Sequence, residues 1–311
     1  MIICAGESLI DMVSYATENG EVQYTPHVGG SILNSALALG RLGADAYYCG
    51  AVSNDTFGGL IEDCLRDSRV QEDFIIKTHR HTTLAYADVT DGVAKYTFVD
   101  EHSAGRLIDE NSLKPFVNKI NNAKALLVGG ISLQAEPCGT SWQWLVEQVA
   151  DHCVIYFDAN IRPDFIEDKD KYLERFERLT RKVDIIKISE EDYSYLYGEQ
   201  DFEKVSAEWL EKGIKMIVLT LGEKGAKVIF DGGKEISVGI EPVKVIDTIG
   251  AGDSFNAGLL FDLDKQKMLD QEKLVSIDKS TLKKALIFAN QVASFTVTQK
   301  GANPPWLDEL K

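Results

Sequence analysis

The chain has 311 residues, 44% hydrophobic and 26% charged, the composition of a globular protein long enough to bury a large core. Lys and Arg number 33 against 49 Asp and Glu; this formal charge of −16 argues against a nucleic-acid partner, whose phosphate backbone calls for a basic patch. No apolar run approaches a membrane span, the start Met1-Ile2-Ile3-Cys4-Ala5-Gly6 lacks a basic flank, and five scattered Cys suit a reducing compartment, so a cytoplasmic protein without a membrane partner is expected.

In chain order, residues 2–6 read as a strand. Residues 12–28 are polar, with Asn19-Gly20 as a turn signal between Val13-Ser14-Tyr15 and Val22-Gln23-Tyr24. A helix is predicted over 32–42, a strand over 46–52 and a helix over 57–65. Residues 84–89 and 94–99 alternate as strands do and are joined by Thr90-Asp91-Gly92-Val93. They form a small, partly exposed sheet that is either a lid beside a pocket or a plain hairpin, and apolar residues exposed on it would favour dimerisation. Short apolar runs recur at 125–128, 154–157, 185–188 and 217–221, each near a helical pattern, and a long helix follows over 279–295. This rhythm predicts an α/β fold with a mostly parallel sheet covered by helices. No boundary divides it, so residues 1–311 read as a single domain, with segments 12–28 and 84–99 inserted.

The strongest chemical signal is Asp247-Thr248-Ile249-Gly250-Ala251-Gly252-Asp253-Ser254, where an apolar approach turns into a helix. Glycines there permit a tight turn and leave amides uncovered, and bare amides at a helix start hold phosphates or developing anions. Asp253 in the first turn is either a cap or a base beside those amides, able to deprotonate a hydroxyl while they stabilise a transferring phosphoryl group. The stretch is neither a Walker A loop nor a dinucleotide fingerprint at a first βα turn.

A second cluster, Asp11, Gly29-Gly30 and Asn34, offers the acceptors, donors and close approach that a polyhydroxylated ligand needs. A third, Asp158-Ala159-Asn160-Ile161-Arg162, follows a strand at the edge where open α/β sheets bind ligands. Ser189 reads as an N-cap with Asp192 completing a capping box, and that carboxylate can also orient water around Mg²⁺. Leu221-Gly222-Glu223-Lys224-Gly225 either passes a nucleotide or is a simple turn. The five His are scattered, and no zinc site is predicted.

These motifs carry a resemblance. Gly29-Gly30 with Asn34, Arg41-Leu42-Gly43, and Gly50 through Asp55-Thr56-Phe57-Gly58 resemble the first signature of the PfkB (ribokinase-like) sugar kinase family, and residues 247–255 resemble its second. Within the family the chain is most similar to bacterial fructokinases, through residues 26–43, 96–107, 131–139 and 160–163. The resemblance implies a ribokinase-like three-layer α/β/α fold with a β-sheet lid, ATP with Mg²⁺, K⁺ as a possible activator, and phosphorylation of a ketohexose such as fructose at its 6-hydroxyl. It implies Asp253 as base, with Gly250, Ala251 and Gly252 as anion hole. Asp11, Gly29, Gly30, Asn34, Asn160 and Arg162 match sugar-side positions, with Asn160 also near the phosphates. Lys187, Ser189, Thr220, Gly222, Gly225, Asn256 and Asn290 match the nucleotide side, and Asp192 an indirect, water-mediated metal contact. Ser189 stands where Asn is frequent and Asp192 where Glu is usual, a carboxylate one methylene shorter. The lid of many relatives also joins two subunits, so a homodimer is expected. The competing readings are a 2-keto-3-deoxygluconate kinase, a related kinase for another sugar or nucleoside, and a non-catalytic sugar-binding regulator.

Overall fold

The structure, a computed structural model, describes residues 1–16, 19–90 and 93–310. The chain begins with β1 (Ile2–Ala5), β2 (Leu9–Ala16), β3 (Val22–Gly29), α1 (Ser31–Arg41), β4 (Ala46–Ser53), α2 (Thr56–Asp67), β5 (Gln71–Thr78), β6 (Thr83–Thr90) and β7 (Val93–Val99). Short α3 (Glu110–Leu113) and α4 (Val117–Ile120) lead to β8 (Ala125–Gly129), α5 (Cys138–Val149), β9 (Val154–Asp158), α6 (Lys169–Leu179) and β10 (Ile185–Ser189). Then follow α7 (Glu190–Tyr197), α8 (Phe202–Glu211), β11 (Met216–Thr220), β12 (Ala226–Phe230), β13 (Lys234–Val238), α9 (Ala251–Lys265), α10 (Gln271–Val275) and α11 (Lys279–Thr296).

Nine strands form one sheet in the order β13-β12-β11-β10-β9-β8-β1-β4-β5. From β11 to β5 every pairing is parallel; β12 and β13 add antiparallel at one edge. The inner strands are apolar on both faces because both faces are covered. Alternate residues feed two cores: Cys4, Leu127, Tyr156 and Val218 join one with residues of α1, α9 and α11, while Ile3, Leu126, Ile155 and Ile217 join the other with residues of α5, α6 and α8. Helices therefore lie on both sides of the sheet, in the expected α/β/α layering.

Two sheet strands escaped the sequence reading. In β5 only Phe74 is buried, and β13 buries alternate residues only, so neither shows the continuous apolar run of the inner strands. The small sheet is also larger than the polar stretches suggested. Its order is β3-β2-β6-β7, with a parallel β2–β6 pair between two antiparallel ones. It begins at Leu9 rather than residue 12, so Asp11 is the third residue of a strand in this second sheet and not an appendage of β1. The Asn19-Gly20 turn is present, with Gly20 at φ 79°. Asp91-Gly92 of the predicted β6–β7 connection lie outside the described residues.

Because β1 and β8 to β11 run the same way, their carboxyl ends share one edge. Register sets Gly129 beside Asp158, Asp158 beside Lys187 and Ser189 beside Thr220. Helix α9 starts near this edge, packing on α11 closely enough that a Cβ on Gly258 would come within 2.7 Å of Ala289 Cα. Among the described residues no helix is long and apolar enough to cross a membrane.

Candidate active site

The site is organised by the start of α9. Gly250 is its N-cap, at φ 78° and ψ 2°, a left-handed conformation that suits glycine. The loop before it is tied to the far end of α11: Ile246 and Asp247 amides donate to Val297 O at 2.8 and 3.2 Å, and Asp247 Oδ2 accepts from Gly301 N at 2.9 Å. Ala251 N donates to Thr248 O at 3.3 Å, and the first regular helical bond is Ser254 N to Gly250 O at 2.9 Å. The amides of Gly252 and Asp253 fall between these two, in the turn where a helix has no internal acceptors to offer.

Asp253 does not cap this helix. Its Oδ2 accepts from Asn34 Nδ2 at 2.9 Å, across 219 residues of sequence, and the residue is 7% exposed. Burial pushes its carboxyl up to about 7, nearby Asp158 adds to the rise, and the Asn34 bond, Lys187 and Arg162 oppose it. A carboxylate at that value is half ionised near neutrality, as a general base requires.

Beneath it lies a buried ion pair. Lys187 Nζ reaches both oxygens of Asp158, at 3.0 and 2.9 Å, because β9–β10 register makes the two residues neighbours. Asn256 Nδ2 donates to Asp158 at 2.7 Å, and Tyr156 OH donates to Asn256 Oδ1 at 2.9 Å. The Lys187 ammonium lies 3.0 Å from where a Cβ on Gly252 would stand. A fixed positive charge and two helix-start amides thus border the same small space.

The second predicted cluster faces Asp253. Asn34 comes from α1, whose N-cap Gly30 has φ 108° and lies against Glu7 O and Ser8 Cα, at 3.0 and 3.1 Å from a would-be Cβ. Gly29 leaves room for the Asp11 carboxylate, which would be 2.2 Å from a Cβ there. Burial pushes Asp11 up to about 6. Asn34 Oδ1 is buried with no hydrogen-bond partner.

The third cluster is a strained loop, with Asn160 at φ 34°. Ile161 is buried while Arg162 is exposed, its Nη1 donating to Ile161 O at 2.9 Å. The capping box is present: Asp192 N donates to Ser189 Oγ at 3.0 Å and Ser189 N to Asp192 Oδ2 at 3.3 Å. Asp192 Oδ1 also accepts from Ile161 N at 2.8 Å, so this residue caps α7 and steadies the strained loop together.

Of the residues expected on the nucleotide side, Thr220 ends β11 and Gly222, at φ 56°, has open space where a side chain would be. Gly225, at φ 93°, would put a Cβ 2.0 Å from Val238 O, so packing alone requires glycine there. Asn256 is buried within the charge network, and Asn290 Nδ2 donates to Val238 O and Gly239 O at 3.2 and 3.3 Å. Sequence reasoning placed Asp158 at the start of the third cluster without a role and did not single out Glu7 or Gln134; all three hold these clusters together. A groove of about 750 Å³ lined by Arg41, Arg69 and Trp306 contains none of these residues. Among the described residues no three His, Cys, Asp or Glu side chains are grouped to hold a metal ion.

Comparison with known proteins shows the family and the fold. Residues 1–309 match the family described as pfkB family carbohydrate kinase. A fructokinase of Rhizobium leguminosarum bv. trifolii is 37% identical over 283 residues, covering 91% of this chain and 86% of that protein. The crystal structure of a Xylella fastidiosa fructokinase with bound ATP superposes with a TM-score of 0.91 at 24% identity, over 99% of this chain and 96% of that one. A Vibrio cholerae O395 fructokinase in a fructose, ADP and calcium ion bound form superposes with a TM-score of 0.82 at 27% identity, over 97% of this chain and 94% of that one.

Proposed function

Since the chain belongs to the pfkB family of carbohydrate kinases, we propose that it moves the γ-phosphoryl group of ATP to the 6-hydroxyl of D-fructose, with Asp253 as the base. The observation that carries this reading is a buried carboxylate with its pKa raised to about 7, at a helix start that also presents bare amides. Asp253 takes the proton of the attacking hydroxyl, and the Gly252 and Asp253 amides receive charge that develops on the transferred group. Gly250 sets the turn that aims them. Ala251 N, held at 3.3 Å by Thr248 O, is the weaker contributor to the anion hole.

Asp11, Gly29, Gly30 and Asn34 make the sugar side, with Asn160 and Arg162 opposite. The unpartnered Asn34 Oδ1 suits a hydroxyl donor. Thr220, Gly222 and Gly225 border the nucleotide, with Asn290 and Asn256 as supports behind it. Lys187 and Ser189 lie on the phosphate side. The donor set fits Mg²⁺ carried in with ATP. Asp158 is engaged by Lys187 and Asn256, and Asp192 keeps lone pairs for ordered water, which Mg²⁺ retains in phosphate sites. The ion supplies charge neutralisation of the phosphate oxygens. We propose K⁺ as an activator to be tested, bound near the loop ahead of Asp253. The sheet of β2, β3, β6 and β7 acts as a lid that excludes water, a competing nucleophile, and it pairs two subunits.

A panel of sugars with ATP, Mg²⁺ and ADP detection tests the reading, with and without K⁺. The exposed Arg162 guanidinium favours one alternative, an acid sugar such as 2-keto-3-deoxygluconate. A much higher kcat/KM for that substrate than for fructose would replace the assignment.

A further inference from the structure

The two halves of the sugar side come from distant elements: Gly30 and Asn34 from α1, Asn160 and Arg162 from the loop after β9. A strap joins them. The turn Gly130–Leu133 leaves β8 and ends at Gln134, whose amide donates to Ile131 O at 3.1 Å. At its near end stands Glu7, buried at the end of β1. Its Oε1 accepts from Ser31 N and Ser31 Oγ at 3.1 and 2.7 Å, and its Oε2 from Ser132 N at 3.4 Å and from Ser132 Oγ. Gly130 must lack a side chain, since a Cβ would fall 2.4 Å from Glu7 Oε1.

At its far end Gln134 grips the loop. Its Nε2 donates to Asn160 O at 2.9 Å and to Ala159 O at 3.3 Å, and its Oε1 accepts from Arg162 N at 2.7 Å. Two carbonyls on one side and an N–H on the other leave a single orientation for the amide. Asp192 takes the Ile161 amide of the loop. The loop benefits from such restraint, because Asn160 holds a left-handed φ of 34°, a region Asn enters more readily than other side chains but at a cost that these contacts offset. The restraint has consequences for the base, since the Arg162 charge is among those acting on Asp253.

We propose that Gln134 is a positioning residue for the acceptor sugar: through the strap pinned by Glu7, it fixes the 160–162 loop relative to Gly30 and Asn34 and so sets how the sugar is gripped. The inference rests on the sugar kinase reading above, and the two fail separately. Gln134→Met keeps the side-chain volume and removes every hydrogen bond. Gln134→Asn keeps the chemistry on a shorter stem.

In the unliganded protein, Q134M should speed hydrogen exchange of the Ile161 and Arg162 amides by about tenfold or more, with exchange in β9 and α9 unchanged. In steady state, Q134M should raise the sugar KM by roughly 10- to 100-fold while the ATP KM stays within about twofold. Q134N should fall between Q134M and the parent. Unchanged exchange in the loop overturns the proposal. So does faster exchange with an unchanged sugar KM, or an equal rise in both KM values alongside a lowered Tm, which marks Gln134 as merely structural. A parent enzyme inactive on every sugar would instead sink the kinase reading. The exchange comparison separates that case, because it needs no substrate.

Discussion

A carboxylate buried beside Asp158 is disfavoured in its charged form, and Asp253 is kept usable by Asn34, Lys187 and Arg162. Removing its charge should leave binding and abolish most turnover: Asp253→Asn is expected to lower kcat by about 10²–10⁴-fold with little change in either KM, read by steady-state assay. The pH profile follows from the same environment. With the base near 7, kcat/KM should fall about tenfold per unit below that value and level off above it. Asn34→Leu deletes an interaction that lowers the Asp253 pKa, so the residual activity should show its limb moved to higher pH. Stability carries the opposite sign. The folded state holds this proton between about pH 4 and 7 while the unfolded chain releases it, so stability falls as pH rises through that window. D253N removes the penalty and should melt several degrees above the parent at pH 8, a gain that shrinks toward pH 4 in a thermal scan. Asp253 was legible because Gly250-Ala251-Gly252 announces a helix start with bare amides. Asn34 was legible only as one polar residue in a glycine-flanked cluster. That it touches Asp253 depends on α1 meeting α9, which no local pattern states. Glu7 and Gln134 were illegible for the same reason, as their partners lie 24 to 125 residues away.

At the level of the element, two glycines separated by Ala251 in the α9 turn should respond differently to the same added methyl. Gly250→Ala forces an L-residue to φ 78° and sets a Cβ 2.7 Å from Ala302 Cβ, so it should cost about 1–3 kcal/mol of stability and lower the Tm. Gly252→Ala meets no left-handed backbone. Its Cβ would lie 3.0 Å from Lys187 Nζ, so the ammonium need give only a few tenths of an ångström while keeping its bonds to Asp158, and the helix survives. We expect G252A to keep the Tm within about two degrees and to lose kcat by about 10-fold or more. A drop in Tm for G252A with turnover intact would show that the ammonium plays no part in phosphoryl transfer. The elements most legible in the sequence were those with one unambiguous environment, the two-sided inner strands β1, β8, β9, β10 and β11. The edges β5 and β13 were not, because a strand with one partner and a wet face has no continuous apolar run.

Across the whole molecule, the two faces of the small sheet differ in character. Register places Asp11 opposite His27 and beside Ala85, while Ile10, Leu84 and Val99 share the other face with Val22, Tyr24 and Val28. One face thus carries the carboxylate proposed for the sugar side; on the other, Ile10, Leu84 and Val28 pack against the chain's own core, while Val22 is 62%, Val99 43% and Tyr24 38% exposed. A second copy of the chain is the proposed cover for these exposed residues, and it would also hold each lid upright over its own sugar site. Each subunit carries a formal charge of −16, so association must overcome mutual repulsion by apolar burial. The two contributions respond oppositely to salt. Salt screens repulsion between charges farther apart than the Debye length, about 8 Å at 0.15 M, and leaves apolar contact intact, so dimerisation should tighten as NaCl rises from about 0.05 to about 0.5 M. An interface built on ion pairs would weaken over the same range. Sedimentation equilibrium across that series, repeated with a Val22→Lys and Val99→Lys double variant, distinguishes them. The variant should be monomeric throughout and show a raised sugar KM, since a lid without its partner loses support. If it remains a dimer, the second subunit does not sit on this face, and the lid must stand by its contacts with the body alone, such as Phe98 against Phe165.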